Sequence, residues 1–177
     1  MKNLPVKSAL HSLLVCSFFA LVVSGCAYHL GPTNGAVAGA RTVEVHPFKN
    51  STLEPRVNDD VTQQVRKQLQ QDGTYRLATR SDTGDIIVDG TVTKYERRGM
   101  TYQPRDVVTV QDFRILMTVH VTARDQASGK VLFDETVTGS TLVRAGNDLP
   151  SDERQALPDL SDDVGKKVVS LIVDGTW

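Results

Sequence analysis

Residues 113–124 read FRILMTVHVTAR. Phe113, Ile115, Met117, Val119, Val121 and Ala123 take every second position, and Arg114, Thr118, His120, Thr122 and Arg124 fall between them. Side chains on a strand alternate between faces, so this pattern predicts a strand buried on one side and wet on the other, as in an antiparallel sheet. Downstream, DQASGK from Asp125 to Lys130 is a turn of small and polar residues, and VLFDETVTG returns as the next strand. The SGK within that turn is not a phosphate loop, because the glycines such a loop needs four or five residues earlier are missing. Upstream, Ile86, Val88 and Val92 mark one face of a strand reaching about Tyr95, opposite Asp89, Thr91 and Thr93.

The period changes on either side of these strands. Val61, Val65 and Leu69 recur at four-residue spacing among Gln63, Gln64, Arg66, Lys67 and Gln70, which predicts an amphipathic helix. Asn58 is the expected N-cap, Asp59 and Asp60 suit the positive end of the helix dipole, and Gly73 suits a left-handed closing residue. A second stripe, Leu160, Val164, Val168, Leu171 and Ile172, begins after Pro158, with Asp159, Asp162 and Asp163 in the expected first turn and Gly175 as the stop. Before the first helix, Val43 and Val45 alternate with Thr42, Glu44 and His46, a strand that Pro47 ends or confines to an edge. Tyr75 to Thr79 reads as another short strand. The economical architecture is α+β, with two helices on one face of a mainly antiparallel four- to five-stranded sheet.

The amino terminus reads differently. Lys2 and Lys7 precede an apolar body from Ala9 to Val23, too short for the roughly 20 residues of a membrane span but suited to the roughly 7–15 of an export signal. Val23-Ser24-Gly25-Cys26 resembles the lipobox of bacterial lipoproteins, which implies cleavage before Cys26 and acylation of that residue. Each buried methylene adds about 0.8 kcal/mol, so several acyl chains on one residue make a lasting anchor. Ala27 follows where an aspartate would suggest inner-membrane retention, favouring the periplasmic face of the outer membrane. The expected organisation is a signal peptide over 1–25, a lipidated tether over 26–40 and one domain over 41–177. The tether contains HLGPTNGAVAGA, rich in Gly, Pro and Asn and without periodicity.

Composition narrows the function. Cys16 would leave with the signal and Cys26 would carry lipid, so no disulfide is expected and stability must come from packing. The formal charge is -1, and loss of Lys2 and Lys7 makes it about three units negative, against a nucleic-acid binder with a basic face. No G-x-S-x-G elbow, H-E-x-x-H helix, C-x-x-C pair or glycine-rich nucleotide loop occurs, and neighbouring acids such as Asp59-Asp60 and Asp162-Asp163 point about 100° apart on a helix. The expectation is a non-enzyme with neither metal nor cofactor beyond the covalent lipid on Cys26. His46, Glu44 and His120 would approach one another only if their strands were neighbours. One segment stands out: YERRGMTYQPRD places Arg97, Arg98 and Arg105 with Tyr95, Met100 and Tyr102 at a hairpin end, and Arg144 lies in the later loop. Guanidinium groups bind phosphate through paired hydrogen bonds, while Tyr and Met lie against acyl chains or sugars.

The opening Cys26-Ala27-Tyr28-His29-Leu30-Gly31 resembles the C-G-Y-x-L-G start of the lipopolysaccharide-assembly lipoproteins (LptE), with Ala27 for glycine. The resemblance continues through VEVHPFKNSTLEPRVNDDVTQQVRKQL, DGTYRL, Gly90-Thr91-Val92-Thr93-Lys94-Tyr95, LMTVHVTARD and SGKVLFDE. It implies a lipoprotein seated in the lumen of the outer-membrane lipopolysaccharide-translocon β-barrel (LptD), assisting the barrel's assembly and binding lipopolysaccharide near the hairpin tip. The family's basic tip residues would fall on Arg97, Arg98 or Arg105 and on Arg144. The alternative is an outer-membrane lipoprotein activator of peptidoglycan synthase or a curli-secretion-like lipoprotein, which also opens with a V-x-P-F-x-N-x-[ST] strand.

Overall fold

The structure, a computed structural model, describes residues 39–79, 83–103, 106–144, 146 and 148–175, with residues 101–111 described by their backbone. The expected signal peptide, Cys26, most of the tether and Arg105 lie outside the described residues.

Among the described residues eight elements follow one another: β1 (Thr42–Val45), β2 (Lys49–Asn50), α1 (Val57–Asp72), β3 (Arg76–Leu77), β4 (Ile86–Gln103), β5 (Asp106–Asp125), β6 (Val131–Arg144) and α2 (Leu149–Asp174). The strands form one six-stranded sheet in the order β3-β1-β4-β5-β6, with β2 also on β4. The α+β class is as expected, but the sheet is mixed and larger than the four or five mainly antiparallel strands anticipated. β1 runs parallel to both β3 and β4, and β2 runs parallel to β4. Parallel neighbours need a long crossover, and α1 supplies it between β1 and β3. Alternation in a sequence reveals which face of a strand is buried, not the direction of its neighbour, so these pairings left no trace in the pattern.

β4, β5 and β6 are antiparallel, in a ladder that runs from Ile86↔Asp125 to Gln103↔Asp106 and from Asp112↔Arg144 to Arg124↔Val131. Their helix-side residues Ile86, Val88, Val92, Ile115, Met117, Val119 and Val121 are all fully buried, each worth about 1.5–3 kcal/mol of transfer energy. Against them α1 lays Val57, Val61, Val65 and Leu69, and α2 lays Leu160, Val164, Val168 and Ile172. Gly90 is required by a close approach: the Phe48 ring, itself buried, lies where a Cβ on Gly90 would be.

Three boundaries differ from the sequence reading. α1 begins at Val57 behind Arg56, whose φ of 66° is left-handed, while the expected cap Asn58 hydrogen-bonds Asp59 Oδ1 instead. Gly73 closes α1 as expected, at φ 75°, donating to the Leu69 carbonyl. α2 starts at Leu149, so Pro158, Asp162 and Asp163 lie inside it. Proline removes one helical hydrogen bond there, but Leu149, Ala156 and Leu157 still pack on the core and hold the early turns in place. β4 and β5 run well past Tyr95 and Phe113, through the segment read as a hairpin loop. In those extensions the backbone pairing runs on from Gly99↔Phe113 to Gln103↔Asp106.

Candidate functional site

The β4–β5–β6 ladder fixes which tip side chains meet. On the face away from the helices, Arg98 pairs with Arg114, Arg114 pairs with Leu142, and Asp112 pairs with Arg144. Met100, Asp112, Arg114, Leu142, Val143 and Arg144 line a shallow depression of about 570 Å³. Leu142 is 63% exposed and Met100 48% exposed, unusual for apolar side chains on an ordered sheet.

The charges around this depression are unevenly compensated. Arg144 Nε lies 3.4 Å from Asp112 Oδ1, with the Arg144 side chain 88% exposed. Glu96 accepts from Lys94 Nζ at 2.7 Å and Arg98 at 3.0 Å, and these bonds, Lys94's first, hold its carboxyl below the ordinary value. Arg114 faces Arg98 across the strands and has no carboxylate within ion-pair distance among the described residues. Like charges opposite one another on a sheet are unfavourable. The arrangement therefore suits an anion, and Met100 and Leu142 offer apolar surface beside it.

Adjacent residues on a strand face opposite ways, and Arg97 and Arg98 accordingly separate. Arg97 turns to the helix side, where its Nε forms an ion pair with Oε1 of Glu153. That contact is ionic rather than well directed, so Oε1 has no aligned hydrogen-bond donor. Glu153 is only 6% exposed, and its burial raises the carboxyl above the ordinary value even though Arg97 pulls the other way. The Tyr95 hydroxyl, buried nearby without a hydrogen-bond partner, is pushed up to about 12 by burial and by Glu54 and Glu153.

Of the arginines singled out in the sequence, the structure gathers Arg98 and Arg144 on one surface and sends Arg97 to the other. It adds Arg114, which the sequence reading left among the alternating residues of its strand, and Leu142, which lies beyond the VLFDETVTG strand and was not singled out. Counting back from the 125–130 turn would put Arg114 opposite Thr141; the bulge between Ala123 and Arg124 shifts the register by one and places Leu142 there, and only the pairing of β4 with β5 brings Arg98 alongside. The histidines do not converge. β4 separates β1 from β5, His46 Nδ1 lies 2.9 Å from Asp89, and His120 Nε2 lies 2.9 Å from Asp134.

The fold recurs in solved structures of low identity. A protein of Xanthomonas campestris is 11% identical, with 82% of this chain and 91% of that chain matched at a TM-score of 0.59. The PelC dodecamer from Paraburkholderia phytofirmans is 19% identical, with 78% and 92% covered and a TM-score of 0.53. A minor lipoprotein from Acinetobacter baumannii is 16% identical, with 76% and 93% covered and a TM-score of 0.51. No curated protein sequence matches this chain closely enough to count as a relative. A helix pair on one side of a sheet whose long ribbon outruns it defines a small α+β domain of a kind that also occurs in bacterial lipoproteins. Within that class the chain belongs to the lipopolysaccharide-assembly (LptE) family, whose pattern matches residues 40–172.

Proposed function

We propose that this protein is an outer-membrane lipoprotein, anchored through acylated Cys26 on the periplasmic side, that plugs and assists assembly of the lipopolysaccharide-translocon β-barrel (LptD) and binds lipopolysaccharide during its insertion. Family membership supports the assembly role and the partner. The observation that carries the binding role is the row of Arg98, Arg114 and Arg144 beside exposed Met100 and Leu142. Guanidinium forks suit the phosphates of lipid A or the inner core, and the apolar pair suits an acyl chain or sugar face. Arg97 contributes by fixing the ribbon to α2 through Glu153, and Arg105 follows Gln103 and Pro104 on the same connection in sequence. Single molecules would be drawn from aggregates at the tip and handed to the barrel. No step of this requires catalysis.

The test is lipopolysaccharide binding by Arg98→Glu/Arg114→Glu and by Arg97→Glu/Arg98→Glu, beside co-purification with the barrel. The first pair is expected to lose binding by about tenfold or more while barrel association and the circular dichroism spectrum persist. Unchanged binding would remove the tip from the mechanism. Isolation with a penicillin-binding protein and no barrel would replace the whole reading with that of a synthase activator.

A further inference from the structure

The cations of the tip are not evenly spaced. Arg98 on β4 and Arg114 on β5 stand directly opposite each other in the ladder, whereas Arg144 on β6 stands opposite Asp112, two residues nearer the hairpin end. Strands lie about 4.8 Å apart and rise about 3.3 Å per residue, which puts the base of Arg144 about 10 Å from the midpoint of the Arg98–Arg114 pair. Between them lies the exposed side chain of Leu142, opposite Arg114 on β6. The surface therefore has two cationic poles with apolar ground between.

The poles also differ in how far they are neutralised. At the first, Glu96 bonds Arg98 at 3.0 Å but is shared with Lys94, and Arg114 has no carboxylate within ion-pair distance among the described residues. Two other acids stand off this row: Glu153 pairs with Arg97 on the helix side, and Glu54 lines a separate depression with Lys94, Tyr95 and Arg97. Positive charge is in excess here. At the second pole one carboxylate offsets one cation, with Asp112 Oδ1 3.4 Å from Arg144 Nε. That contact takes Nε alone, and the rest of the almost wholly exposed guanidinium is left for an incoming oxygen.

We propose that the tip counts phosphates: the Arg98–Arg114 pole takes one, Arg144 takes a second about 10 Å away, and Asp112 sets how firmly the second is held. The inference rests on the reading of this surface as a lipopolysaccharide-binding site, and it narrows the ligand to an amphiphile with two phosphates at opposite ends of a rigid sugar disaccharide. A lone phosphate goes to the first pole, where the cations are in excess. Once it is bound, the second is delivered to Arg144 as an intramolecular contact, which adds affinity without a second encounter. Asp112 competes for the same guanidinium and repels the arriving anion, so the gain is modest. A surface that must pass its ligand on needs such a brake. Met100 and Leu142, which line the ground between the poles, lie against the sugar face or the first carbons of an acyl chain.

The test compares diphosphoryl with monophosphoryl lipid A of the same acyl chains, each titrated calorimetrically into the full-length protein in detergent. The unaltered protein is expected to bind the diphosphoryl form about fivefold tighter. Arg144→Gln should erase that preference and leave the affinity for the monophosphoryl form unchanged, whereas Arg114→Gln should weaken both forms alike. Asp112→Asn should widen the preference about threefold further. Lys67→Gln, an equal loss of charge on the exposed face of α1, should leave the preference as it was.

Equal affinity of the unaltered protein for the two forms, a preference that survives Arg144→Gln or disappears in Lys67→Gln, or one that Asp112→Asn does not widen would each overturn the proposal while leaving lipopolysaccharide binding by the tip in place. Binding of neither form by the unaltered protein would instead overturn the reading beneath it, and the proposal with it.

Discussion

The lower half of the sheet and its tip obey different rules. In the lower half one face is sealed by two helices, and Val43, Ile86, Val88, Ile115, Met117, Leu160 and Val164 have no exposure. At the tip the same strands continue with Arg98, Met100, Arg114, Leu142 and Arg144 exposed, joined by the backbone ladder and by the surface pairs of Arg98 with Glu96 and Arg144 with Asp112. Hydrophobic burial specifies the first region, and hydrogen-bond register with surface charge pairs specifies the second. The difference teaches that the buried support and the exposed cations of the proposed binding surface are divided along the length of the same three strands. A substitution should therefore act strongly on one property and weakly on the other, according to its height on the ribbon.

The sharpest way to break this division is at its base. Ile86→Ala should destabilise the domain by about 2–5 kcal/mol in denaturant unfolding, because the surroundings of a fully buried side chain collapse only partly. A loss below about 0.5 kcal/mol would mean that the helices do not seal the sheet. At the boundary between the regions, Arg97→Ala should cost about 1–2 kcal/mol by leaving the Glu153 carboxylate buried without its cation, a figure reduced because Arg97 itself is half exposed. That loss should depend on pH. The Glu153 carboxyl is raised in the folded state, so it is protonated in both states at low pH and the loss is smallest there. It should grow as the pH rises through the raised value, and Glu153→Gln in the same background should flatten it.

A smaller effect separates the two regions under acid. Asp85 accepts from the Thr42 amide at 2.7 Å and hydroxyl at 2.9 Å, tying β1 to the entry of β4, and these bonds hold its carboxyl below the ordinary value of 3.8. Its contribution is present above that value and lost as the pH falls through the lower folded one. Asp85→Asn should flatten part of the acid limb of the stability profile without altering lipopolysaccharide binding at neutral pH. The smallest effect on folding is expected at the tip. Arg114→Thr should change stability by only a few tenths of a kcal/mol, and in the stabilising direction, because it relieves the opposition to Arg98. The same variant should weaken lipopolysaccharide binding. Destabilisation above about 1 kcal/mol would show that the tip is part of the core's support after all.

The same division governs what could be read from the chain. The stripes Val61-Val65-Leu69 and Leu160-Val164-Val168, and the alternation through Phe113–Ala123, are consequences of one-sided burial, and burial writes itself into periodicity. The segment YERRGMTYQPRD carries no such alternation, so the sequence alone reads as a hairpin end where the strands in fact run on. The early turns of α2 were hidden by Pro158, which breaks the pattern without breaking the helix. For the candidate site, the arginines near Gly99 were legible because a cluster of guanidinium groups stands out in the sequence however the chain folds. Their partition was not. That Arg97 turns to Glu153 while Arg98 joins Arg114 and Arg144 depends on the bulge after Val92 and on pairings across three strands, which no local stretch contains.

The length of β4 sets a scale. The chain enters the domain at Gly39 beside Thr74, and β1 then meets β4 at Val43↔Ile86, the end of the ribbon farthest from the arginines. From Ile86 to Arg98 at about 3.3 Å per residue is roughly 40 Å, whereas the hydrocarbon core of a bilayer is about 30 Å thick. Were the domain anchored on its entry side as proposed, the ribbon alone would exceed that thickness. The ribbon would then serve as a ruler as much as a receptor.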